Sequence, residues 1–204
     1  MPDTYWEEFT TPYQMGEQKH RMYVLESMGK NGIKSILDVG CGTGPIYQII
    51  KNHQMPFKYK GTDYSESMIN VCCDLFPEGN FEVQDMRKLK EKDNSWDCVL
   101  LMHSLDHTDD YKASIREATR VSSKYVYIVL WRSVKLSGEN NLNSINRMGK
   151  KDNEEPFEDT HLQDYSMEKL GKEFENNNLQ IIEIINDERI NEKQSYNTLF
   201  ILKK

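Results

Sequence analysis

The chain has 204 residues, with 26 Lys and Arg against 33 Asp and Glu and a formal net charge of −7. That length suits a single domain with a proper core, and the acidic balance excludes a protein that grips long nucleic acid by neutralising its phosphates. No apolar run approaches the roughly 18 residues of a membrane span, and the acidic, aromatic start MPDTYWEEFT lacks the basic end and apolar stretch of a secretory signal.

The N-terminal stretch carries Tyr5, Trp6, Phe9 and Tyr13 and then turns helical over residues 16–28. Residues 1–32 are expected to form a helical lid. From there, apolar runs of strand length alternate with segments of helical period, the pattern of a parallel α/β sheet. Strands are expected at 35–39, 58–62, 80–84, 96–102 and 125–131, and helices at 45–51, 67–75, 110–121 and 167–177. The runs DCVLLM and YVYIVLW are almost wholly apolar and suit central strands buried on both faces. Pro45 fits a first helical turn, where its missing N–H costs nothing. Ser65 and Ser166 are candidate N-caps.

The stretch 132–165 is polar, Asn-rich and without period, and it follows the end of a central strand. Long connections in that place tend to serve the ligand, so it is expected to be a substrate-side insertion. In the tail, residues 179–188 and 195–202 are two strand-like runs joined by a short polar segment, which favours an antiparallel pair. The four cysteines, at 41, 72, 73 and 98, lack C-x-x-C spacing and are expected to be reduced, mostly buried thiols of a cytoplasmic protein.

The most informative segment is Ile36–Gly44, ILDVGCGTG: an apolar strand, three alternating glycines, then a helix opening at Pro45. Such glycines let the backbone turn sharply and approach a ligand, while the N–H groups at the helix start favour an anionic group. About twenty residues on, a second strand ends in Gly61-Thr-Asp63, where a carboxylate suits a ribose diol. A dinucleotide fingerprint wants G-x-G-x-x-G. Here the third glycine comes one residue early, and Asp38 inside the strand would repel a pyrophosphate but attract an ammonium. S-adenosylmethionine offers that ammonium, a carboxylate for the helix start, a ribose for Asp63 and no phosphate.

On these residues the chain resembles the class I S-adenosylmethionine-dependent methyltransferases, particularly their small-molecule branch, from about Ile33 to Leu130. ILDVGCGTG is similar to their glycine motif and implies cofactor contacts from Asp38, Gly40, Cys41, Gly42 and Gly44. GTDYSESMI resembles the second motif, which implies Asp63 on the ribose and Tyr64 and Met68 beside the adenine. FEVQDM resembles the third and implies Asp85 and the backbone of Met86 at the adenine edge. WDCVLLMHSLDH resembles the fourth and implies Met102 and His103 beside the transferred methyl group. The resemblance further implies a Rossmann-like three-layer sandwich with a mostly parallel seven-stranded sheet and an antiparallel last strand. The stretch VSSKY at 121–125 departs from the pattern, lacking the paired glycines many relatives carry there.

Methyl transfer from a sulfonium is an in-line displacement in which positioning does most of the work. A hydroxyl or ammonium acceptor would also need a base, and His103, expected to titrate near neutrality, is the candidate. The small-molecule acceptor is expected beside Tyr13, His107, Trp131, His161 and Tyr165, with Asp164 in the same stretch. His107 also has a structural reading, as a bond to the following loop. One of Lys19, His20 and Arg21 is a candidate partner for the methionyl carboxylate. No metal is expected: His103 and His107 are four apart, but Ser104 stands where a zinc helix would carry its glutamate. Three other readings share the glycine turn: a non-catalytic scaffold or activator subunit that binds the cofactor; a nicotinamide-dependent oxidoreductase, against which Asp38 and Pro45 speak; and a nucleic-acid methyltransferase, which for exocyclic amines would carry an Asn- or Asp-Pro-Pro-aromatic turn where residues 103–107 read HSLDH.

Overall fold

The computed structural model describes residues 19–130, 165–186 and 198–204. The elements, in chain order, are α1 (Lys19–Lys30), β1 (Ser35–Val39), α2 (Pro45–Asn52), β2 (Lys58–Asp63), α3 (Glu66–Leu75), β3 (Phe81–Val83), β4 (Trp96–Met102), a 3₁₀ turn (Leu105–His107), α4 (Tyr111–Val121), β5 (Ser122–Leu130), α5 (Met167–Asn176), β6 (Gln180–Asn186) and β7 (Thr198–Lys203). The strands form one seven-stranded sheet in the order β3-β2-β1-β4-β5-β7-β6. All pairs from β3 to β5 are parallel, whereas β7 runs antiparallel to both β5 and β6. This is the mostly parallel sheet with an antiparallel last strand that the resemblance implied.

Alternation along the strands sends side chains to two apolar layers. Leu37, Val99, Leu101, Val126 and Ile128 face one layer, completed by Ile115 and Ala118 of α4 and by Leu170 and Phe174 of α5. Ile36, Cys98, Leu100, Tyr127 and Val129 face the other, against Val24, Leu25 and Met28 of α1 and Ile46, Ile49 and Ile50 of α2. The helix starts match their sequence cues. Ser65 Oγ accepts from Met68 N at 3.4 Å, Ser166 Oγ from Lys169 N at 3.3 Å, and Pro45 stands in the first turn of α2.

Two boundaries differ from expectation. β5 begins at Ser122, three residues before the apolar run, because Ser122 pairs with Trp96 across a register shift in β4. The glycines absent from VSSKY are therefore not needed. α4 runs straight into β5, with Ser122 Oγ donating to the Thr119 carbonyl at 3.3 Å. β3 is only three residues long, at the sheet edge.

β1 lies between β2 and β4, so the chain's crossovers leave it in opposite directions. In open α/β sheets the carboxyl ends of strands at such a switch point border the ligand crevice. Asp38, Asp63 and His103 all lie there.

Candidate cofactor and methyl-transfer site

The three glycines after β1 have different jobs. All have positive φ, 80° at Gly40, 55° at Gly42 and 80° at Gly44, a region where a Cβ is strained. A Cβ on Gly40 would sit 2.2 Å from Ser104 Cβ, so this glycine lets the loop press against the chain leaving β4. Ser104 Oγ secures that contact by donating to the Val39 carbonyl at 2.7 Å. At Gly44 a Cβ would crowd Phe76 at 3.2 Å. At Gly42 it would meet nothing within 4 Å among the described residues. Of the three, Gly42 alone borders open space, as a residue that cradles a ligand must.

The loop is pinned from β2 and α3. Asp63 Oδ2 accepts from Gly42 N at 2.9 Å, and its Oδ1 accepts from Ser65 N at 2.9 Å. Burial raises the Asp63 pKa, against the pull of these backbone donors. Cys72 Sγ donates to the Gly42 carbonyl at 3.1 Å, and Cys41 Sγ lies 3.7 Å from the same oxygen. Cys41, Cys72 and Cys98 are buried, Cys73 is exposed, and none forms a disulfide.

Asp38 is 1% exposed in the middle of the sheet. Tyr59 donates its hydroxyl hydrogen to Oδ2 at 2.7 Å, whereas Oδ1 has no hydrogen-bond partner among the described residues. Burial is the main cause that pushes this carboxyl up to about 7; Asp63 adds to it, and Tyr59 and Arg21 oppose it. A buried acceptor oxygen left without a hydrogen-bond donor among the described residues fits a ligand that brings a cation, and the methionyl ammonium is such a group.

The remaining cofactor candidates are placed as follows. Tyr64 is 75% exposed directly after β2, and Met68 is buried one turn into α3. The Asp85 carboxylate is held by Arg87 through Nε at 3.0 Å and Nη2 at 2.8 Å, and these bonds lower its pKa. Met86 packs on the α4 layer of the core. Met102 is buried at the end of β4.

His103 follows at φ 57°, a left-handed backbone that costs a non-glycine residue about 1–2 kcal/mol. Its Nε2 lies 3.3 Å from Nε2 of His20, so one ring donates and the other accepts. Both rings are buried. Burial, with help from Arg21, lowers His20 to about 4. Burial, His20, Arg21 and His107 hold His103 well below its ordinary value. Burial thus pulls His103 down, away from the near-neutral titration expected of its place at a strand end. His107 ends the 3₁₀ turn and is lowered to about 4 by burial.

Tyr165 reaches the same turn from the other side. Its hydroxyl donates to the Leu105 carbonyl at 2.7 Å, and its ring meets Tyr111 edge-on at 5.2 Å. Tyr13, Trp131, His161 and Asp164, together with residues 1–18 of the lid expected over 1–32 and all but Tyr165 of the insertion expected at 132–165, lie outside the described residues.

Sequence reasoning missed three contributors. Ser104 was noted only for not being glutamate, yet it sets the closeness of the Gly40 contact. His20 was weighed against the cofactor carboxylate rather than as the partner of His103. Tyr59 passed as an ordinary strand residue. Its signal was the period of two through Tyr59, Gly61 and Asp63, which puts all three on one face.

Residues 37–130 match the family described as a methyltransferase domain. A demethylmenaquinone methyltransferase of Thermotoga maritima is 25% identical over 114 residues, 56% of this chain and 50% of that protein. The chain spans about half the length of the curated relatives it matches first. The magnesium protoporphyrin IX methyltransferase of Synechocystis, solved with bound S-adenosylmethionine, superposes with a TM-score of 0.66 at 16% identity, covering 92% of this chain and 79% of that one. A methyltransferase of Aquifex aeolicus superposes with a TM-score of 0.67 at 18% identity over 100% of this chain and 98% of its own. The strand order described above is thus the fold of these solved methyltransferases, and residues 37–130, which hold the glycine loop, are similar to the methyltransferase-domain family.

Proposed function

We propose that the chain transfers a methyl group from S-adenosylmethionine to a small-molecule acceptor. The observation that carries this reading is that, among the described residues, Gly42 borders open space and Oδ1 of buried Asp38 has no hydrogen-bond partner. Gly42 and Asp63 would hold the ribose side, Asp38 the ammonium, and Tyr64, Met68, Asp85 and Met86 the adenine. When bound, the cofactor supplies an activated methyl group on a sulfonium. The acceptor would then lie at the end of β4, by Met102 and His103.

The chain's own contribution is placement. Val39, Gly40 and Ser104 lock the glycine loop to the end of β4, which fixes the cofactor side against the acceptor side. Orientation of this kind lowers a bimolecular barrier more than any single group does. His103 is held neutral, so it suits a hydrogen bond to the acceptor better than storage of a proton near neutrality. The named acceptors of the relatives, a quinone precursor and a porphyrin, are small molecules and support that class of substrate.

Calorimetry with S-adenosylmethionine, its demethylated product and NAD tests the cofactor. The two sulfur nucleosides should bind and NAD should not. Incubation with a panel of hydroxyl, amine, thiol and activated-carbon acceptors, read by mass spectrometry for an added methyl group, tests the transfer. Binding of NAD in preference to S-adenosylmethionine would end this reading.

A further inference from the structure

Tyr59 has no assigned role, yet it makes the one side-chain hydrogen bond seen at Asp38 among the described residues. The sheet register explains how. Asp38 stands opposite Gly61, and Gly61 has no room for a side chain: a Cβ there would lie 2.8 Å from Phe81 Cδ1 and 2.9 Å from Cys41 Sγ. With that position bare, Tyr59 reaches across to the carboxylate from two residues earlier. Its ring is held in turn by Tyr47 at 5.2 Å and Phe81 at 6.1 Å. The hydroxyl thus has a fixed direction, and Oδ2 of Asp38 is taken.

We propose that Tyr59 is a positioning residue for the cofactor: it fixes Asp38 through Oδ2, so that Oδ1 is left to receive the methionyl ammonium, and binding releases one proton. This rests on the cofactor assignment above. The balance is simple. Before binding, Asp38 is a neutral carboxylic acid for much of the time near neutrality; in the complex it is a carboxylate against an ammonium, and its proton goes to solvent. The groups facing Asp38 are Tyr59 and Asp63 from β2, Arg21 from α1, Cys41 from the glycine loop and Cys98 from β4. Arg21 pulls the carboxyl down and Asp63 pushes it up, but burial outweighs both. The ammonium is the charge that reverses the balance.

The test compares S-adenosylmethionine with 5′-methylthioadenosine, a nucleoside thioether lacking the amino-acid end. Affinities are measured from slightly acidic pH to near neutrality, below the range of about 7.7–8.0 where an α-amino group loses its own proton. In the wild type, S-adenosylmethionine should tighten by up to about tenfold per pH unit until Asp38 is ionised, then level off. Methylthioadenosine should show no such slope. In Tyr59→Phe the levelling point should move to higher pH. S-adenosylmethionine should then weaken about three- to tenfold at neutrality, the worth of one hydrogen bond, while methylthioadenosine is unaffected. Calorimetry of the wild type in two buffers of different ionisation heat needs no variant and should report close to one proton released below neutrality. Equal pH slopes for the two ligands, superimposable profiles for Tyr59→Phe and wild type, or heats independent of buffer would each overturn the inference. A wild type that binds methylthioadenosine and S-adenosylmethionine at no pH would overturn the cofactor assignment as well.

Discussion

Strand β2 carries a polar cluster on each face, and the two are built to opposite rules. On one face Lys60 donates to Glu82 at 2.6 Å and to Glu91 at 2.8 Å, and Gln84 Nε2 joins the same two carboxylates at 3.1 and 3.0 Å. Hydrogen bonds from Lys60 and Lys90 pull Glu82 down to about 2. On the other face Tyr59 and Asp63 meet Asp38, and burial raises both carboxyls. The first cluster is already neutralised and ties the short edge strand β3 to its neighbours. The second holds its buried carboxyls short of a cation, so that their ionised form is stabilised only once a ligand supplies one.

The largest effect should come from the glycine loop above the second cluster. Gly40→Ala drives a Cβ to 2.2 Å from Ser104 Cβ at φ 80°. Overpacking plus the left-handed backbone should lower the unfolding free energy by roughly 2–5 kcal/mol. A Cβ at Gly42 meets nothing within 4 Å among the described residues, so Gly42→Val should cost only about 1–2 kcal/mol for its backbone, yet abolish S-adenosylmethionine binding. Denaturant melts and isotherms on the two variants separate these effects. Normal cofactor binding by Gly42→Val would remove Gly42 from the cradle.

That contrast also shows how far the sequence was readable. ILDVGCGTG announced the strand, turn and helix, because hydrophobic period and glycine spacing are local properties. It did not distinguish the jobs of Gly40 and Gly42, because the partner of Gly40 is Ser104, on the far side of β2, β3 and β4 in the chain. The start of β5 was missed for a related reason: Ser122, Ser123 and Lys124 are polar, and only their pairing with β4 reveals them as strand. The downward pull on His103 was not legible either, because it comes from burial and then from His20 and Arg21 of α1, on a helix that composition does not bring to β4. Residue types along one strand or turn were legible; contacts between distant segments were not.

The two clusters should also respond to pH with opposite sign. The folded pKa of Asp38, about 7, lies above its unfolded value. The stability it lends is therefore fully present in acid, below the unfolded pKa of about 3.9, and is lost as pH rises through 7. Glu82 is depressed; its stability is present above the unfolded carboxylate range and lost as pH falls toward 2. Relative to Asp38→Asn, the wild type should lose roughly 2–4 kcal/mol between mildly acid and neutral pH, and saturating S-adenosylmethionine should restore much of it. Relative to Glu82→Gln, the wild type should lose stability only in acid. Parallel pH curves for the two variants would erase the distinction between the faces.

The smallest effect should follow removal of Lys60, and it is the cleanest control. The Lys60 side chain is 15% exposed, and its partners Glu82 and Glu91 are 36% and 6% exposed. The Glu82 half of the bridge is thus open to solvent and worth little, while the Glu91 half is sheltered and loses its cation in Lys60→Met. Gln84 and water near Glu82 can take up part of that loss, so about 1–2 kcal/mol of stability should go. Among the described residues no side-chain hydrogen bond from this face reaches Gly42, Asp38 or Asp63, and the link is through backbone alone, Gln84 N donating to the Asp63 carbonyl at 2.9 Å. Cofactor affinity should accordingly stay within about twofold, less than the 1.4 kcal/mol that a tenfold change requires. If Lys60→Met weakens S-adenosylmethionine as much as Asp38→Asn does, then β2 transmits strain between its faces, and the charge left waiting at Asp38 is not a local property of the site.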